Sequence, residues 1–216
     1  MANVSPVNRS EVEELEPFFK MSEASMGFLP NSLLTMAHLR QLPPMFSMFV
    51  GTVFGADPKA LLAAMGDLIP EQSRADKNLP PQTIQLIAYA CSLSAGCRYC
   101  QAHTSHNAHR QGLEENKIQS VLDYEDSTLF DSQEKAVIAI ALAAGQVPNE
   151  TNESHFEALR VHYDERQIVQ IVSVISVFGF LNRWNDTMAT QLEGSPADFA
   201  QAVLTEGGWK LDKHAG

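Results

Sequence analysis

The chain has 216 residues, 44% hydrophobic and 19% charged, a globular composition that excludes collagen-like, low-complexity and disordered readings for its bulk. Fifteen basic side chains stand against 26 acidic ones, a net charge of −11, with no Lys/Arg run, which argues against nucleic acid and anionic membrane surfaces as partners. The three cysteines, Cys91, Cys97 and Cys100, crowd into ten positions, and an odd clustered set is not a secreted disulfide framework.

The pattern is helical almost throughout. Asn8 to Lys20 reads as a first helix with Ser10 as N-cap, ended or kinked by Pro17. Pro30 to Leu39 and Pro43 to Gly55 read as short apolar helices opened by proline. Asp57 caps the next. The run LPPQTIQLIAYACSLSAG has proline in its first turn and glycine at its end, and a further helix runs from near Cys97 to Gly112. Asp131 or Ser132 caps QEKAVIAIALAAG, and Glu153 to His162 follows as another helix. Gln167 to Leu192 is rich in β-branched residues, but Gln167, Gln170, Ser173 and Ser176 recur every third position. A strand needs a period of two, so this is a long helix. Ser195 caps a C-terminal helix. The expected fold is all-α, with residues 1–75 as an N-terminal helical extension and residues 76–216 as the core. The N-terminus has no basic stretch followed by an apolar one, and no uncharged run reads as a membrane span, so a cytoplasmic location without membrane partners is expected.

The chemistry concentrates in AGCRYCQAHTSHNAHRQG, Ala95 to Gly112. Cys97, Cys100 and His103 are spaced by three and share one helix face. A helix N-terminus stabilises a thiolate through its free N–H groups and its dipole. A neighbouring histidine can take the thiol proton, and the second cysteine can close a disulfide on the oxidised first. Cys91, inside an apolar helix, reads as a packing thiol. Structural zinc needs about four ligands, and a single C-x-x-C on one helix does not supply them. His106 and His109 read as solvated.

The stretch IQLIAYACSLSAGCRYCQAH resembles the carboxymuconolactone decarboxylase superfamily in its alkylhydroperoxidase D-like, peroxidase-related branch. The resemblance continues through SQEKAVIAIALAA, FEALR and IVQIVSVISVFGFLNRWNDTMA, where Asn182 and Arg183 stand as an Asn-Arg pair after an apolar helix, and covers about residues 80–192. It implies an all-helical alkylhydroperoxidase D-like fold, subunits packed into a homo-oligomer, and a thiol peroxidase of antioxidant defence that turns a hydroperoxide into alcohol and water. In that scheme Cys100 attacks, Cys97 resolves and His103 is the base. The helix dipole taken alone favours Cys97 as the attacking thiol. No organic cofactor and no metal are implied, and an external thiol reductant is expected as partner. Two positions depart from the family pattern. Gln85 stands where the family has a relay glutamate, and can orient or bridge by hydrogen bonds but cannot shuttle a proton. His103 lies one place before the family histidine, Thr104 filling that position, which turns the side chain by about 100°. Two alternatives stand beside this reading: a lactone enzyme like the decarboxylase branch, which lacks the C-x-x-C pair, and a non-enzymatic oligomeric or metal-binding protein.

Overall fold

A computed structural model describes residues 3–71 and 77–215. Eleven α-helices and short 3-10 turns make up the regular structure, and no strand occurs among the described residues. The fold is all-α, and the third-position polar spacing rightly marked the longest segment as helix.

The chain divides into two compact units, Met1–Asn78 with Glu165–Val169, and Leu79–Asp164 with Gln170–Gly216. In the first unit, α1 (Glu16–Met26), α2 (Asn31–Met36), α3 (Leu42–Val53) and α4 (Pro58–Met65) follow one another. Asn8 to Leu15 forms two 3-10 turns, and Pro17 sits in the first turn of α1. Proline therefore starts this helix where the sequence reading had it ending one. Its missing N–H costs nothing in a first turn, whose donors have no helical acceptor. Ser10 is not the cap: its own N–H donates to the side chain of Asn8. Asp57 caps α4 as expected, accepting from the Lys59 N–H. The core of this unit is Val7, Val12, Leu15, Phe18, Phe19, Leu33, Ala37 and Met65. Arg9 forks between Glu16 and Glu23 over the Phe19 ring.

The second unit is built around α5 (Pro81–Ser94), buried at every position from Leu86 to Ser92. It packs against α6 (Arg98–Arg110) and α8 (Ser132–Gly145). Each large apolar side chain buried this way contributes roughly 1.5–3 kcal/mol. A capping box of Asp131 with Glu134 starts α8. Its last residue, Gly145, lies so close to α5 that a Cβ there would stand 2.8 Å from the Cys91 carbonyl and 3.0 Å from Ser94 Cβ. A short α7 (Glu115–Gln119), α9 (Glu153–Arg160), α10 (Glu165–Met188) and α11 (Gly194–Val203) complete the order. α10 gives its first residues to the first unit and the remainder to the second. It has the length and apolarity to cross a bilayer, yet Asn182 and Asn185 are buried on its inner face. Glu193, not Ser195, is the N-cap residue of α11, and it caps without a side-chain bond. The Ser195 hydroxyl faces His106 instead, at 3.5 Å.

Candidate active site

The connection between α5 and α6 positions the C-x-x-C pair. Gly96 adopts φ +76°, a left-handed turn that closes α5. The next residue, Cys97, is the N-cap of α6. In that place its sulfur accepts the Cys100 N–H at 3.5 Å, using a donor that no helical carbonyl can satisfy. Cys100 lies one turn on, so the two thiols face each other at the positive end of the helix. Cys97 is 1% exposed and Cys100 3%, and both are free thiols.

The two sulfurs are unequal. The Cys100 thiol donates to Cys97, and with the backbone N–H groups of Cys100 and Tyr99 it lowers the Cys97 thiol to about 7 against the opposing effect of burial. The same bond, together with burial, pushes the Cys100 thiol up. The backbone N–H that Cys97 accepts at the helix end favours charge on Cys97, the cysteine the dipole favours and the opposite of the order implied by the resemblance. Cys91 is wholly buried, and burial pushes its thiol up to about 11. Its sulfur meets the Ile175 carbonyl and the Asn182 amide.

The other expected site residues spread out. His103 is one turn beyond Cys100, but its Nε2 pairs with Glu193 at 2.7 Å, and its ring lies tilted against Tyr99 with 4.5 Å between ring centres. Tyr99 binds the same carboxylate through its hydroxyl, at 3.1 Å. Gln85 lies on α5 with its side-chain carbonyl buried and without a hydrogen bond. His106 and His109 pack on Phe199 of α11. Among the described residues no four His, Cys, Asp or Glu donors converge on one point.

Three residues around the pair went unremarked in the sequence. Asn185 donates through Nδ2 to Cys100 Sγ at 3.6 Å and to the Leu181 carbonyl at 3.0 Å. It sits one turn after Asn182, so the NRWND run carried a legible signal. Asp186 and His214 also converge on the pair: Cys97 Sγ, a carboxylate oxygen of Asp186 and a ring nitrogen of His214 all lie within 4.8 Å of one another. His214 comes from the C-terminal segment, whose Trp209 indole donates to the Arg98 carbonyl at 3.1 Å. A cavity of about 320 Å³ borders Arg98 and Gln101 on α6, and neither cysteine lines it.

Comparison with known proteins bears on the family and the fold. The profile of the carboxymuconolactone decarboxylase family matches residues 58–143. The chain is 31% identical to debrominase Bmp8 in a structure that aligns with 93% of this chain and 97% of its own, with a TM-score of 0.56. A cysteine-to-alanine variant of that debrominase, solved in complex with 2,3,4-tribromopyrrole, aligns at 30% identity over 94% and 98% of the two chains, also with a TM-score of 0.56. A putative antioxidant defence protein AhpD from Agrobacterium tumefaciens shares the fold at 23% identity and a TM-score of 0.50, over 64% of this chain and 93% of its own. Uncharacterized protein YdfG of Bacillus subtilis is 29% identical over 109 residues, 48% of this chain and 69% of its own length.

Proposed function

The chain belongs to the carboxymuconolactone decarboxylase superfamily with an alkylhydroperoxidase D-like fold, and from that membership we propose that it is a dithiol oxidoreductase that reduces hydroperoxides through Cys97 and Cys100. The observation that carries this reading is the N-cap position of Cys97, where a backbone N–H and the Cys100 thiol both point at its sulfur. The first favours a thiolate near neutral pH, and the second keeps a reducing thiol one turn away. In the proposed sequence the Cys97 thiolate attacks the peroxide, an alcohol leaves, and Cys97 becomes a sulfenic acid. Cys100 then displaces water from it to close a disulfide. An external thiol reductant returns the pair to dithiol, and the working unit is a homo-oligomer. Reduced protein mixed with cumene hydroperoxide loses two thiols and yields one alcohol per turnover. Unchanged thiols would overturn the reading.

A second reading keeps the same dithiol and changes the electron acceptor. It is favoured by the likeness to debrominase Bmp8 along nearly the whole of both chains. Replacing carbon–bromine by carbon–hydrogen consumes two electrons and a proton, releases bromide, and leaves the same Cys97–Cys100 disulfide. Bromide release from a bromopyrrole, with no consumption of hydroperoxide, selects this reading over the first.

A further inference from the structure

We propose that His214 accepts the Cys97 proton and returns it to the leaving group. This rests on the reading of Cys97 as the attacking thiol.

His214 is buried, at 1% exposure. Its Nδ1 faces the Thr190 carbonyl at 2.8 Å. A carbonyl only accepts, so Nδ1 carries a hydrogen and the neutral ring has its lone pair on Nε2. That Nε2 is buried and has no hydrogen-bond partner. Nε2 stands 4.0 Å from Asp186 Oδ1, and a ring nitrogen of His214 lies within 4.8 Å of both that carboxylate and Cys97 Sγ. The ring is held in place. Its own carbonyl accepts the Leu192 N–H at 3.0 Å, and Tyr99 lies against it at 5.8 Å between ring centres. A buried, oriented, unpartnered acceptor this near a buried thiol can take its proton through one bridging water or after a small closing movement.

The surrounding charges support the transfer. Ionising Cys97 beside Asp186 brings two negative charges together, and that carboxylate works against the thiolate. A proton on His214 Nε2 places a cation between them. Lys213 pairs with the other Asp186 oxygen at 2.8 Å, and so fixes the carboxylate from the solvent side. Among the described residues, Tyr99 also lies against the ring, and Cys100 stands beyond Cys97. His103 has no comparable position, because its Nε2 is taken by Glu193.

The step balances. The Cys97 S–H bond breaks as Nε2–H forms. The thiolate attacks one peroxide oxygen, so S–O forms and O–O breaks: sulfur is oxidised and the peroxide reduced. The leaving alkoxide takes the proton from Nε2 and departs as alcohol. Cys100 then forms S–S, and the hydroxyl leaves with the Cys100 proton as water.

The test reads Cys97 directly, as the initial rate of its modification by iodoacetamide across pH, followed by peptide mass. In His214→Asn the rate at about pH 7 is expected to fall by about tenfold or more, with the profile displaced to higher pH. In His214→Gly, added imidazole is expected to restore the rate, which a purely structural defect would not allow. A wild-type rate in His214→Asn overturns the proposal, as does a larger loss in His103→Gln. If the variants do not fold, ring-nitrogen NMR of the wild-type protein decides. The His214 signals must move when Cys97 is alkylated, and unmoved signals overturn the proposal. Modification that depends on His214 in a protein that consumes no hydroperoxide supports the proton transfer and overturns the peroxidase reading alone.

Discussion

The Cys100 amide donates to the Cys97 sulfur at 3.5 Å, and the Cys100 side chain donates to the same atom. Cys100 thus sets the charge of the residue that precedes it by one turn. With the Cys97 thiol held below its ordinary value by these donors, its thiolate persists to lower pH than a free cysteine's and is lost as pH falls further. Alkylation of Cys97 is expected to have its midpoint below that of an ordinary thiol, about 8.5. Cys100→Ala removes one donor and moves the midpoint upward. An unmoved midpoint would show that the Cys100 thiol does not activate Cys97.

The two cysteines are separable by their oxidation products. In Cys97→Ser, cumene hydroperoxide is expected to leave Cys100 reduced. In Cys100→Ser, it is expected to halt at a Cys97 sulfenic acid that dimedone traps and mass spectrometry locates. Dimedone on Cys100 in the first variant, with none on Cys97 in the second, would restore the order implied by the resemblance.

Helix existence was legible because periodicity and caps act locally. The third-position polar spacing of Gln167, Gln170, Ser173 and Ser176, the Asp57 cap and the Gly96 stop are properties of a few neighbouring residues. Cys97 and Cys100 were legible for the same reason. Pro17 was misread because one residue type serves both as a breaker inside a helix and as an opener in its first turn. His214 carried no local signal. It is a lone histidine near the chain end, and tertiary contacts such as the backbone bond from Leu192 and the Thr190 carbonyl bring it to Cys97. Tertiary geometry likewise turned His103 toward Glu193, a residue 90 positions away.

Gly145 tests the packing that holds the site. A side chain there meets the Cys91 carbonyl at 2.8 Å, and backbone cannot rotate away as a flexible side chain would. Gly145→Val is expected to cost about 1–3 kcal/mol, with Tm falling by roughly 2–4 °C for each. Thermal unfolding measures it, and an unchanged Tm would mean that α8 does not approach α5 this closely.

Val177, Phe180, Trp184 and Met188 lie exposed on α10 at helical spacing, with Phe180 stacked on Trp184. An apolar ridge of this kind suits association between copies of the chain. Sedimentation is expected to give more than one chain per particle at micromolar concentration. Trp184→Glu should shift it toward monomer without loss of helical circular dichroism. A monomeric wild type would remove the oligomer from the proposal.

Cys91 makes the chain its own reference for counting. Buried completely, with its thiol pushed up to about 11, it stays silent to alkylating reagents while the fold is intact. In denaturant it reacts like any thiol. Denatured counts therefore exceed native ones by at least one while the fold is intact, whatever the oxidation state of Cys97 and Cys100. A sample in which that difference vanishes has opened around α5, so the same titration that follows turnover also measures how much of the protein is still folded.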